Sequence, residues 1–438
     1  MIKKNSLELQ YQNTFIKMYP ELKNDGIPVK PVTIVVTQDC NLRCTYCYQH
    51  NKNRDNKFTK ETAVRFIDML FKLDAENSEY INSNNAYAIV LEFIGGEPLL
   101  EIDLIDFTVE YFKYKCITLR HRWGIHHMIN ITTNGVLYEN EKVQTFLEKN
   151  QGRVCISITI DGNKELHNTC RMFPDGTGSY DIVEKAFKSY LKTSHIKSTK
   201  LTLSPDNIMY LSDACIHLFN MGLDTIFSNC IFEKGWNVDH ARVLYEQMKI
   251  LADYIINNGL YENYSCSLFD LSIGYELDEK DNQNWCGGTG KMLAVDADGI
   301  IYPCLRYLPF SLKEGCNPIT IGSIENGIGY SSADIKTISM LNKVTRRSQS
   351  TDECFYCPIA SGCAWCSAYN YEETGSVDKR VTYICIMHKA RVLANSYYWN
   401  MLHEKFNEDI KFPLKIPKEW AVEIITEAEY DLLSKLSS

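Results

Sequence analysis

Three thiols stand together in Cys40-Asn41-Leu42-Arg43-Cys44-Thr45-Tyr46-Cys47, spaced CX3CX2C. At that density thiolates bind metal or do redox work, and a zinc site or a redox CXXC pair is the plainer outcome. The setting points further. The motif directly follows the apolar run 32–37 (VTIVVT), which reads as a strand, so the cysteines lie on the loop leaving its carboxyl end. Parallel α/β sheets and barrels bind their ligands at that end. Three thiolates can hold three irons of a [4Fe–4S] cluster and leave the fourth iron open to a substrate, which a purely electron-transferring cluster does not need.

The chain of 438 residues is long enough for two or three domains with ample core. Its 45% hydrophobic and 23% charged content is ordinary for a globular protein. A formal net charge of −9 argues against nucleic acid as a main partner. No apolar stretch reaches the 18 residues or more of a membrane span, and the start MIKKNSLELQYQ lacks a signal-peptide core, so no membrane partner is expected. Seventeen cysteines in such a chain point to metal or redox work in a reducing cytoplasm rather than to a disulfide scaffold.

Strand-like and helix-like stretches alternate from residue 32. Strands are expected over 32–37, 88–94, 129–134, 154–161, 200–204 and 225–232. Helices are expected near 60–73, 102–115, 138–149, 179–193, 206–220 and 239–258. Six βα units imply an α/β fold, a partial (β/α)6 TIM-like barrel open on one side. The polar stretch 75–85 reads as a surface excursion, and His126 and His127 as a solvated pair. Cys155, Cys215 and Cys230 read as small buried hydrophobes.

Polar motifs punctuate the strand ends. Gly95-Gly96-Glu97-Pro98 follows the second strand, and Thr132-Thr133-Asn134-Gly135 ends the third. Taken singly, these are a glycine turn and an Asx turn. The fourth strand runs Ser157-Ile158-Thr159-Ile160-Asp161-Gly162, with Ser157, Thr159 and Asp161 on one face, followed by His167-Asn168-Thr169-Cys170-Arg171. With Tyr46 before the last cysteine of the first motif, the set resembles the radical S-adenosylmethionine (SAM) enzymes of the peptide-modifying branch. The resemblance implies that Cys40, Cys44 and Cys47 hold a cluster whose open iron chelates SAM, which is reductively cleaved to a hydrogen-abstracting 5′-deoxyadenosyl radical. It also implies SAM contacts from Tyr46, Gly95, Gly96, Glu97, Thr133, Asn134, Asp161 and Arg171. Glycine admits backbone close to the SAM ammonium, Glu97 adds a charge-assisted bond, and Arg171 offers its carboxylate a bidentate fork. Where the family has the Ser of SxDG, this chain has Thr159, with Ser157 one step back on the same face; either hydroxyl could serve.

A second cysteine set lies beyond the barrel. Cys286 precedes an expected hairpin turn at 295–299, Cys304 follows Gly299 in GX4C spacing, and Cys354, Cys357, Cys363, Cys366 and Cys385 come after. Paired CX2C spacings also suit a zinc ribbon. The order resembles the SPASM domain, which implies two auxiliary [4Fe–4S] clusters and three in all. Cys354, Cys357, Cys363 and Cys385 would hold the outer one; Cys286, Cys304 and Cys366 would hold the inner one. The spacing from Cys363 to Cys366 is one residue short of the family's. Lys280 stands where the family has an eighth cysteine, leaving an open iron, or Cys266 or Cys316 as substitute. The implied division is a lead-in over 1–31, a barrel over 32–258, a bridging and SPASM region over 259–390, and a helical tail over 391–438.

The function implied by the resemblance is that of a maturase acting on a ribosomally made, Cys-rich precursor peptide and installing a cross-link, with a thioether favoured. Flavodoxin or ferredoxin would supply electrons. A separate leader-binding protein is one expectation, because 31 residues are too few for a winged-helix leader-binding domain. Carbon–carbon cross-linking and sulfatase-type maturation are alternatives, although Leu305 stands where sulfatase maturases carry an Asp. A non-catalytic zinc or cluster protein is the reading from another class.

Overall fold

The computed structural model describes residues 28–49, 53–194, 196–282, 286–289, 292–408 and 410–438; the expected lead-in lies almost wholly outside them. In chain order the first elements are β1 (Val29–Thr37), α1 (Lys60–Ala75), β2 (Ala88–Gly95), α2 (Ile102–Thr118), β3 (His127–Thr133), α3 (Glu141–Lys149) and β4 (Val154–Ile158). Next come α4 (Lys164–Cys170), α5 (Tyr180–Thr193), β5 (Ser198–Leu203), α6 (Leu211–Asn220), β6 (Thr225–Cys230), α7 (Val238–Asn257) and β7 (Ser265–Cys266). The rhythm then breaks into the short strands β8 (Ala294–Val295), β9 (Ile300–Tyr302), β10 (Gly322–Ser323) and β11 (Gly327–Ile328). Helices α8 (Ser332–Asn342), α9 (Arg346–Gln349), α10 (Asp352–Phe355), α11 (Ser367–Thr374), α12 (Cys385–Phe406), α13 (Lys418–Ala421) and α14 (Glu427–Ser437) close the chain.

The chain forms two compact units, residues 1–158 with 284–344 and residues 159–283 with 345–438. In the first, β1 to β4 pair in parallel and in sequence order, and β8 to β11 extend the same sheet beyond β1. Val32, Ile34, Val35 and Val36 of β1 are essentially inaccessible, as expected of a parallel strand covered on both faces. Among the described residues Pro31 pairs with β2 alone, so its missing N–H breaks no ladder bond to β8. Helix α1 starts where the Thr59 hydroxyl accepts from Thr62 N, and it buries Ala63, Phe66, Ile67 and Leu70. In the second unit β5, β6 and β7 form a parallel sheet. There α12 packs on α7, with the Tyr397 hydroxyl donating to Asp253 at 2.6 Å, and α14 brings Glu429 to the Tyr245 hydroxyl at 2.9 Å. No described helix is long and apolar enough to cross a membrane.

Two expectations are corrected. The stretch 75–85 is not a bare excursion: Tyr80, Ile81 and Ser83 are buried. Asp74 anchors it, accepting from Ser83 Oγ at 3.0 Å and pairing with His121 Nε2 at 2.8 Å. His127 is buried rather than solvated, and its Nδ1–H donates to Trp123 O at 2.7 Å. Burial of an imidazole that alternation alone cannot assign to a face explains the miss.

Burial also holds His127 down to about 4, and in the other unit His167 down to about 3, with the Arg171 cation adding to the latter. An unfolded histidine titrates near 6.5, so the unfolded chain takes the proton first. The stability these groups preserve is therefore whole above about pH 6.5 and is lost progressively as pH falls toward 4, on the order of 3 kcal/mol per site. Thermal melts between pH 7.5 and 5 should show a smaller drop for His127→Gln than for the wild type. Parallel curves would contradict this.

Candidate active site

The loop leaving β1 is built by its own polar groups. Asp39 N donates to Thr37 Oγ1 at 3.1 Å, and Asp39 Oδ1 accepts from Cys40 N at 2.8 Å. Arg43 Nη1 donates to the carbonyls of Cys40 and Leu42, at 2.6 and 2.7 Å, which curls the backbone. Leu42 is wholly buried and anchors the turn. Cys40 is buried, whereas Cys44, Tyr46 and Cys47 are half-buried. Cys40, Cys44 and Cys47 line one cavity of about 370 Å³ with Arg43, Gln49 and Arg54, within the range of small-ligand pockets.

The glycine pair abuts this loop. A Cβ on Gly95 would stand 2.2 Å from Thr37 O, and one on Gly96 would stand 2.0 Å from Asp39 O. Both glycines are thus required by the close approach of the β2 end to the β1 end. Glu97 is buried beside them, accepting from Leu99 N at 3.0 Å, Thr133 Oγ1 at 2.7 Å and Asn134 N at 2.8 Å. Asn134 completes the frame. Its Oδ1 accepts from Val136 N, as an Asx turn does, while Nδ2 reaches Asn41 Oδ1 at 2.6 Å and Cys40 Sγ at 3.8 Å. Glu97, Thr133, Asn134 and Cys40 therefore meet as one network at consecutive strand ends.

One row lower, Thr33, Glu92, Asn130 and Cys155 stand in register across β1 to β4. The Glu92 carboxylate accepts from Thr33 Oγ1 at 2.7 Å and Asn130 Nδ2 at 3.2 Å. A glutamate inside an otherwise apolar strand was the sequence signal for this row. Ser157 is half-buried near the end of β4, two residues beyond Cys155.

Thr159, Asp161 and Arg171 belong to the second unit. Asp161 is fully buried and lies 3.9 Å from Arg171 Nη1. His167 ties the segment together: Nδ1 accepts from Asp161 N at 3.2 Å, Nε2 meets Ser179 Oγ at 3.0 Å, and that hydroxyl donates to Arg171 O at 2.8 Å. The α4 turn thus delivers a buried guanidinium next to a buried carboxylate.

Of the second cysteine set, Cys354, Cys357, Cys363 and Cys385 come together in the second unit. Burial, together with the neighbouring Cys363, Cys357 and Cys354, pushes the Cys385 thiol up to about 11; Cys357 is raised by burial and by Cys363 and Cys354. In the first unit the sulfurs of Cys286 and Cys304 flank Gly288, where a Cβ would come within 2.9 Å of Cys304 Sγ and 3.6 Å of Cys286 Sγ. Cys366 Sγ caps α11, accepting from Tyr369 N at 3.5 Å. Cys266 is engaged elsewhere, its buried sulfur accepting a hydrogen bond from the free Cys215 thiol. Among the described residues, no three His, Cys, Asp or Glu side chains close on a single-ion position. Sequence reasoning missed Arg306, whose guanidinium lies 4.9 Å from the Tyr48 ring, and Arg380 beside Cys363.

The radical SAM superfamily profile matches residues 34–205. That span contains the CX3CX2C loop, the glycine pair with Glu97, Thr133, Asn134, and the segment from Ser157 to Arg171. Residues 34–205 form a radical SAM domain. Radical SAM domains use SAM and a [4Fe–4S] cluster. The chain is 23% identical over 306 residues to the radical SAM cyclopropyl synthase TigE of Paramaledivibacter caminithermalis, covering 64% of this chain and 58% of that protein. It is 25% identical over 294 residues to a cysteine-type anaerobic sulfatase-maturating enzyme of Clostridium perfringens, covering 64% of this chain and 75% of that one. The chain therefore spans less than two thirds of the synthase's length. In fold it resembles anSMEcpe with bound AdoMet, at TM-score 0.61 and 18% identity over 87% of this chain and all of that one. It also resembles Streptococcus suis SuiB bound to the precursor peptide SuiA, at TM-score 0.52 and 17% identity over 84% and 78%. These likenesses identify the α/β architecture around the radical SAM domain as the partial-barrel fold of such enzymes.

Proposed function

We propose that this protein is a radical SAM maturase of a Cys-rich precursor peptide that installs a cross-link, with a thioether favoured. The observation that carries the reading is the cavity lined by Cys40, Cys44 and Cys47 at the carboxyl end of β1, framed by Gly96, Glu97 and Asn134. Cys40, Cys44 and Cys47 would hold a [4Fe–4S] cluster there, which together with SAM would supply radical hydrogen-abstraction chemistry. The chain's own part is positional. Arg43 and Asp39 shape the loop that offers the thiolates, and Asn134 steadies Cys40. Arg171 is the group suited to a carboxylate, and Thr159 or Ser157 offers it a hydroxyl.

Cys354, Cys357, Cys363 and Cys385 would hold an outer auxiliary cluster. Cys286 and Cys304 would belong to an inner one. A precursor peptide as substrate accords with the peptide-bound neighbour SuiB, and flavodoxin or ferredoxin would reduce the enzyme in the cytoplasm. A carbon–carbon bond-forming reaction is the second reading, supported by the similarity to a cyclopropyl synthase.

Anaerobically reconstituted protein given SAM and dithionite should release 5′-deoxyadenosine, and Cys44→Ala should abolish the release. Iron should reach about twelve per chain for three [4Fe–4S] clusters. Zinc in place of iron, or no 5′-deoxyadenosine from an iron-loaded chain, overturns the reading. Co-expression with a Cys-rich precursor, read by mass spectrometry, should show two hydrogens lost per thioether. An unmodified peptide beside active SAM cleavage would reject the substrate alone.

A further inference from the structure

Arg380 sits against the outer cysteine set. Its Nη2 donates to Cys363 Sγ at 3.0 Å, with the carbonyls of Cys363 and Ala364 at 3.2 and 3.3 Å. The sulfur is the nearest of the three acceptors. The arginine is delivered from a fixed backbone. Arg380 N donates to Gln349 O at 3.1 Å, and Val381 N donates to Oδ1 of the fully buried Asn370 at 3.0 Å. Asn370 Nδ2 in turn reaches Gln349 Oε1 at 3.3 Å and Val377 O at 3.4 Å. The cation is also electrostatically felt by Cys357, so its field covers more of the set than one sulfur.

From this geometry we infer that Arg380 tunes the reduction potential of the outer auxiliary cluster; the inference rests on the assignment of Cys354, Cys357, Cys363 and Cys385 to that cluster. Adding an electron makes an iron–sulfur cluster more negative. A guanidinium bonded to a ligand sulfur stabilises that reduced form and raises the potential, because hydrogen bonds to the sulfurs and net charge set it. A loop brace needs only the two carbonyl contacts. The contact to Sγ gives Arg380 a second role: it keeps the outer site a ready acceptor for an electron released during turnover.

The test uses the full chain, reconstituted anaerobically, with Cys40, Cys44 and Cys47 changed to Ala so that only auxiliary signals remain. About eight irons per chain are expected in this background. Potentiometric titration followed by electron paramagnetic resonance should place one auxiliary signal at a more negative potential in Arg380→Gln, and the other signal unmoved. Arg380→Lys keeps the charge but not the planar fork, and should fall between. Unchanged potentials with iron retained overturn the role of Arg380. Should Arg380→Gln shed its iron, the Lys variant decides by the same criterion. Cys354→Ala serves as the separate control: if it keeps all the iron of its parent, the outer-cluster assignment has failed and the role of Arg380 fails with it.

Discussion

Glu97→Ala is expected to cost about 3 kcal/mol of stability and to abolish SAM cleavage. The carboxylate accepts from two backbone N–H groups and a hydroxyl at a site that water scarcely reaches. Each buried donor left without its acceptor costs about 1–3 kcal/mol, and part of that sum is returned because a charge no longer has to be buried. Glu97→Gln does not rescue the site. Leu99 N and Thr133 Oγ1 both donate to Oε1, while Asn134 N donates to Oε2. Whichever way the amide turns, its NH2 faces a donor. The expected order of stability is wild type, then Gln, then Ala, with the melting temperature of the Ala variant lower by about 6–10 °C. Asn134 also contacts Cys40, so the same variants should retain less iron. An Ala variant melting within a degree or two of the wild type would show that the carboxylate does not brace the strand ends.

How much of this was legible in the sequence depends on the physical origin of each signal. Near-continuous apolar runs announced β1 and β2, because a parallel strand covered on both faces leaves no alternation to misread. The strand-end motifs were legible as positions and less so as contacts. Gly95 and Gly96 were expected to admit a ligand, yet the atoms they admit belong to Thr37 and Asp39. A pattern reveals that a Cβ is forbidden, not what occupies the space. The burial of His127 against Phe112, the tie of Asp74 to His121, and the approach of Arg380 to Cys363 arise from contacts between separate segments. No local periodicity encodes those.

The pair of Asp161 and Arg171 allows the two jobs of Arg171, bracing the fold and holding SAM, to be separated. Both side chains are nearly inaccessible and stand 3.9 Å apart. Arg171→Ala takes the cation from beside a buried carboxylate, a loss in the range of about 3–5 kcal/mol for such pairs. Adding Asp161→Asn should recover much of that stability, because the remaining partner is then neutral. SAM affinity should not recover with it. If the guanidinium holds the SAM carboxylate, its loss removes a charge-assisted contact of about 1.5–3 kcal/mol, or roughly 10–150-fold in Kd. Arg171→Lys sharpens the distinction, since it keeps the charge and gives up the bidentate fork. Its melting temperature should stay near the wild-type value while equilibrium dialysis reports weaker SAM binding. Wild-type affinity in the Lys variant would assign the SAM carboxylate to another group and leave Arg171 as the partner of Asp161. Weak binding in the stability-rescued double variant would show that the α4 turn, from Asp161 through His167 to Ser179, exists to present a cation rather than to neutralise an anion.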